Sequence, residues 1–201
     1  MPFISSNVTI TNIDVWVTNK SGVTQNVRNI IAFQDLGENM NNVYNSSNIS
    51  SGSLSGSNPD NRNNSIEPSN LVGDFPNIRN VSQITSSLNG TGFEQAIDYE
   101  KIENARKLNS SEYSFHPQLG FISLNQALNS DEVLAVAFQY TINGIPYQVG
   151  ELSTDVASPD ALVLKLLKST IVDVSLPMWR LLMKNVYSLR AYQVNKEDFD
   201  L

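Results

Sequence analysis

The chain contains no cysteine and only one histidine, His116, among its 201 residues. Without cysteine there are no disulfides and no thiolate metal sites, and redox compartment cannot be read. A lone histidine excludes paired-histidine metal sites and leaves one candidate base for any serine–histidine device. Charge is also sparse, at 16% of residues, with thirteen Lys and Arg against twenty Asp and Glu and a net charge of −7. The nearest basic groups, Lys101/Arg106/Lys107 and Lys165/Lys168, are interleaved with acids or leucines. No stripe exists that could neutralise phosphates, so nucleic acid is not an expected partner. Long apolar runs are missing too. The longest, residues 161–167, is broken by Lys165 and falls far short of the roughly 20 residues a membrane helix needs. The opening MPFISSNVTI lacks a basic stretch followed by an apolar core, so no signal peptide is expected. Met1 reads as an added start, and DFDL as a cut within a pattern, which makes the chain an expected piece of something larger.

What is present is a globular composition, 40% hydrophobic, on a chain long enough to bury a sizeable core without staples. Asn and Ser replace much of the usual surface charge, a habit of extracytoplasmic β-proteins. Three regions are expected: an N-terminal hairpin over 1–36 packing on the main domain, an Asn/Ser-rich variable loop or insertion over 37–89, and a main β-rich domain over 90–201. The middle region is almost devoid of large apolar residues between Glu38 and Asn70. It therefore buries too little to offset an ordering cost of about 1–2 kcal/mol per residue.

Residues 8–17 alternate at Val8, Ile10, Ile13, Val15 and Val17, with a slip at Thr11-Asn12 that predicts a bulge. Residues 27–36 read as the antiparallel return strand. Val81, Ile84 and Leu88 have helical spacing, and a helical turn near 93–97 should lead into a strand. Tyr113–Phe115 and Phe121–Leu124 flank His116-Pro117-Gln118-Leu119-Gly120, a tight reversal. In residues 133–140 the large side chains Leu134, Val136, Phe138 and Tyr140 share one face, which is expected to point into the core. Asn143-Gly144 suits a type I′ hairpin turn. Ser158-Pro159-Asp160 would suit a helix start, yet Leu162, Leu164 and Leu166 alternate, which favours a strand. Residues 176–187 read as a short helix opened by Pro177, with Trp179, Leu182, Met183 and Val186 on one face. The expected class is mainly β, sandwich-like, built from antiparallel hairpins with one or two short helices; α+β is the alternative.

Candidate chemistry is thin. His116 lies in a turn and reads as a surface residue. Gly52-Ser-Leu-Ser-Gly56 has its serine one place late for a nucleophile elbow and sits in a polar loop. The carboxylates form loose groups, Glu100/Glu103, Asp131/Glu132, Asp155/Asp160 and Glu197/Asp198/Asp200, and Asp60 to Asn64 has Arg62 where a calcium loop needs a ligand. The glycosylation sequons at Asn7, Asn45, Asn48, Asn80, Asn89 and Asn109 follow from the Asn/Ser content. Trp16, Tyr147, Trp179, Tyr187 and Tyr192 could line a glycan or peptide platform, but most lie on an apolar period and read as packing. No catalytic, cofactor-binding or metal-binding residue is nominated, no binding residue is assigned, and no enzymatic activity is expected.

The dense half carries a different signal. ENARKL at 103–108, QLGFISLNQAL at 118–128, EVLAVAFQYT at 132–141, YQVGE at 147–151 and LPMWRLLMKNVYSL at 176–189 follow one another in order. These words resemble the N-terminal soluble modules of the SprA (Sov) family, the giant outer-membrane translocons of the type IX secretion and gliding motility system of Bacteroidota. A weaker echo covers residues 13–38, and residues 37–89 add nothing. The resemblance implies a non-enzymatic cap or pore-associated segment of a translocon that passes folded cargo to the cell surface. Its partners would be the parent barrel, accessory proteins and cargo, and its location outer-membrane-associated, the extracellular side favoured over the periplasmic. Lipid-facing strands of a barrel wall are not evident in the pattern. The competing reading is an independent cell-surface module that binds glycan or protein. An insertion between two strands of a parent barrel would return its two ends to one side.

Overall fold

The computed structural model describes residues 6–34, 36, 77–89 and 93–183. Eight strands form their framework: β1 (Val8–Val17), β2 (Val27–Phe33), β3 (Tyr99–Lys107), β4 (Tyr113–His116), β5 (Phe121–Leu124), β6 (Leu134–Ile142), β7 (Ile145–Val149) and β8 (Leu162–Lys168). One short helix, α1 (Ile84–Leu88), and a 3-10 helix over Pro177–Leu181 complete the regular elements of the described residues. The mainly β expectation holds, and the strands close into a barrel. In the order β1-β3-β2-β8-β6 each strand bonds the next, and β6 returns to β1. β7 extends β6 as a hairpin, while β4 and β5 form a separate two-stranded sheet.

Local signals come out as the residues dictate. Ile10 faces Tyr140 while Asn12 faces Gln139, so Thr11 is the extra residue of a bulge. Asn143 and Gly144 both have positive φ, 50° and 82°, between the paired Ile142 and Ile145, as a type I′ turn requires. The 162–168 strand forms and pairs in parallel with β2.

The expected N-terminal hairpin does not form. β1 and β2 are separated by β3, which pairs with both, and β1 spends its whole length against β6. Alternation announced two strands correctly; the long connection over 18–26 lets the second swing past its neighbour's edge and leave room for β3. Within β3, Asn104 (φ 51°) is an extra residue between the rungs Ile102–Ile30 and Ala105–Arg28. Its N–H donates to the Asn29 side chain at 3.0 Å, and the bulge keeps both Ile102 and Ala105 on the inner face.

The inner face of the barrel is one cluster drawn from all five staves: Trp16, Ile30, Ala32, Ile102, Ala105, Ala135, Ala137, Leu162, Leu164 and Leu166. The expected orientation of β6 is therefore corrected. Its small residues Val133, Ala135 and Ala137 point inwards, because five strands enclose a narrow space that side chains must fill. Its larger residues are covered from outside. Val136, Leu134 and Phe138 lie under the β4–β5 hairpin with Tyr113, Ile122 and Leu124. Tyr140 stacks on Tyr147 at 5.4 Å in a third cluster that takes in Ile78, Ile84 and Leu88 around α1. Leu36 and Ile78 belong to that same cluster.

Gly150, just past β7, sits where the hairpin crosses β8. Its φ is +69°, and a Cβ there would lie 3.2 Å from the Val163 carbonyl oxygen and 3.3 Å from both Leu164 Cα and Ala137 Cβ. Gly150→Ala is expected to cost at least about 1–2 kcal/mol from the left-handed backbone alone, read as a lower urea midpoint at unchanged slope.

The chain crosses the barrel from end to end. Val8 at the start of β1 pairs with Ile142, and Lys168 at the end of β8 pairs with Leu134, the opposite end of β6. Those ends are about 26 Å apart at roughly 3.3 Å per residue. The 3-10 helix stays at the Leu134 end, lining a depression with Leu167 and Lys168. The expected helix over 176–187 is shorter than predicted and uses another face. Met178 is the residue buried in the barrel core, while Met183 is 64% exposed. The 3-10 helix ends at Leu181, so Met183 lies beyond it and no four-residue helical spacing carries it onto the face of Trp179. Val186 and Tyr187 lie outside the described residues.

Candidate functional site

Polar side chains gather where the barrel needs tying, and each group joins residues far apart in sequence. At the entry end, Asp14 Oδ1 pairs with Lys107 Nζ at 2.6 Å, Lys107 Nζ donates to Ser153 Oγ at 2.8 Å, and the Ser153 N–H donates to Asp14 Oδ2 at 2.8 Å. Burial works to raise the Asp14 carboxyl, but the bonds from Lys107 and Ser153 outweigh it and leave Asp14 below its ordinary 3.8. The triad ties β1, β3 and the loop after β7 together.

Because the folded value of Asp14 is depressed, its contribution is complete above the ordinary carboxylate value and is lost as pH falls through the folded one. Unfolding monitored from pH 7 downwards should show this part of the stability flat to about pH 4 and then declining. Asp14→Asn should flatten that acid limb.

A second tie is made by Arg79, whose two terminal nitrogens each reach a Glu151 oxygen at 2.6 Å. Glu151 also accepts the Val163 N–H at 2.8 Å, and Arg79 donates to the Ala161 carbonyl at 2.9 Å. The Glu151 hydrogen bond holds the Arg79 guanidinium above its ordinary value. At the exit end, Lys168 Nζ donates to the carbonyls of Asn129, Ser130, Glu132 and Ser169, and burial pulls its ammonium down. Buried Glu100 accepts there from Ser169 Oγ, Thr170 N and Thr170 Oγ1 at 2.7, 3.2 and 2.8 Å.

The residues weighed from sequence fall apart in space. His116 lies in the β4–β5 turn, where Nδ1 accepts the Leu119 N–H at 3.2 Å and the ring stacks on Phe121. Asp131 pairs with exposed Lys20, Glu132 caps Asn129, and Asp155 accepts the Leu152 N–H. Among the described residues no group of three or more His, Cys, Asp or Glu could hold a metal. Trp16 is buried inside the barrel and Tyr147 in an outer cluster, so they share no platform. Tyr187, Tyr192, Glu197, Asp198 and Asp200 lie outside the described residues.

One surface feature stands out. Between β8 and the 3-10 helix is a shallow apolar depression lined by Leu167, Ile171, Val172, Leu176, Met178 and Trp179, with space of about 10 Å³, enough for one water. Around it Ile171, Val172, Val174, Leu181 and Met183 are exposed by 47–72%. Such a concentration of exposed apolar side chains is a candidate for an interaction surface, and a depression this shallow fits a protein contact better than a small ligand.

Fold and surface together define a small closed β-barrel with a filled interior, tied at both ends, with exposed apolar side chains at its exit. No family model matches the chain, and no curated protein matches its sequence. No helix among the described residues is long and apolar enough to cross a membrane.

Proposed function

We propose that this chain is a non-enzymatic structural segment of an outer-membrane translocon resembling the SprA (Sov) family, associated with its pore on the extracellular side and helping to pass folded cargo to the cell surface. The observation that carries the reading is where the resembling words fall. QLGFISLNQAL lies on the turn before β5, on β5 and just after it, EVLAVAFQYT on β6 and YQVGE on β7, on a stave, covering hairpins and turns, as expected of a shared scaffold. Among the described residues β1 begins at one end of the barrel and β8 finishes at the other, and the exit surface around Val172 and Val174 is where the parent or its accessory proteins would seat.

The test is made in the full-length parent. Val172→Glu with Val174→Glu should lower the amount of secreted cargo in the medium while the translocon remains present in the outer membrane. Undiminished cargo release by that variant, and by one lacking the whole segment, would remove the proposal.

A further inference from the structure

Asn143 and Gly144 form the exposed tip of the β6–β7 hairpin, between the paired Ile142 and Ile145. An asparagine followed by glycine can close on itself, because the glycine nitrogen reaches the asparagine side-chain carbon with no Cβ in its way. The surroundings single this asparagine out. Asn109, Asn125 and Asn129 are exposed too, but each donates its side-chain nitrogen to a protein oxygen, at 3.1, 2.6 and 2.8 Å. Asn26 and Asn104 share the positive φ of Asn143, at 55° and 51° against 50°, but Val27 and Ala105 follow them and screen the nitrogen. Asn89 also precedes a glycine, Gly90, which lies outside the described residues. Among the described residues no protein group bonds the Asn143 side chain or the Gly144 N–H.

The closed turn holds the two groups apart. With φ of 50° and 82°, Asn143 and Gly144 take the left-handed conformations of a type I′ turn. That geometry sets ψ of the first residue near about 30°, which turns the Gly144 nitrogen nearly anti to the Asn143 Cβ and out of reach of Cγ. We propose that Asn143 is a site of spontaneous deamidation, gated by opening of the hairpin tip. Once the turn opens, the Gly144 nitrogen bonds to Cγ and gives up its proton, and the side-chain nitrogen leaves as ammonia. Water then opens the five-membered imide at either carbonyl, leaving aspartate or isoaspartate and one more negative charge. Aspartate keeps the turn, since Asp-Gly suits the same geometry. Isoaspartate puts an extra carbon in the main chain, so the two-residue loop no longer closes the Ile142–Ile145 rung, and the Tyr140–Tyr147 stack next along the hairpin loosens.

The test holds the full chain in mildly basic buffer, folded in one sample and in guanidinium chloride in the other. Peptide mapping with electron-transfer fragmentation locates the modified positions and separates aspartate from isoaspartate. Asn143 should gain one mass unit in both samples, at least about tenfold faster in the denatured chain, a ratio equivalent to an opening cost of about 1.4 kcal/mol. The isoaspartate fraction, isolated by ion exchange, should melt below the unchanged protein, whereas Asn143→Asp should melt as the unchanged protein does. Equal rates in the two samples would overturn the gating. An unmodified Asn143 in the denatured chain, or after weeks in the folded one, would overturn the site.

Discussion

Replacing Glu151 by alanine is expected to destabilise the barrel by about 3–5 kcal/mol, the usual consequence of removing one partner of a buried ion pair. Glu151 is 8% exposed and Arg79 19%, so the stranded guanidinium cannot recover its solvation without pulling residues 77–89 off the barrel. Ile78, Ile84 and Leu88 would leave the outer core with it. Arg79→Met combined with Glu151→Leu should recover most of the loss, since a buried pair is often no better than a well-packed apolar one. It should still fall short by about 1–3 kcal/mol, because the Val163 N–H that Glu151 accepts would be unpaired. Guanidinium unfolding of the single and double variants measures both. A loss in the single variant below about 1 kcal/mol would mean that Arg79 finds another partner.

Trp16→Ala should have an effect of similar size, about 3–5 kcal/mol, from the cavity left by the largest buried side chain. Trp16 is 1% exposed and pairs with Lys107 on one side and Ala135 on the other. It is one of only two rungs, with Val17, by which β1 meets β3. The cavity would open where the barrel has its narrowest closure. Leu119→Ala, at a 53% exposed position in the β4–β5 turn, should stay within about 0.5 kcal/mol and serves as the control.

Features written within a few residues were legible before any coordinates. The Asn143-Gly144 turn, the bulge at Thr11, the His116–Gly120 reversal and the strand over 162–168 are consequences of local backbone preference, and neighbours in sequence decide them. Pairing was less legible. Alternation in 8–17 and 27–33 identifies strands without naming their partners, so the intervening β3, drawn from residues 99–107, could not be foreseen. The inward turn of Ala135 and Ala137 follows from closure, a property of all five staves at once. The ties at the ends were the least visible: Arg79 and Glu151 are 72 residues apart, Ser153 and Asp14 139. No spacing rule connects such residues.

The end-to-end path has a mechanical meaning. β1 and β8 both run antiparallel to β6 and therefore run in the same direction on either side of it. Tension applied to the incoming and outgoing chain would draw β1 one way and β8 the other along β6. The hydrogen bonds of the two ladders would then be strained together in shear, where a hairpin pulled from one end parts rung by rung. A barrel loaded across β1 and β8 would resist without unzipping, provided that the short β1–β3 closure at Trp16 and Val17 holds.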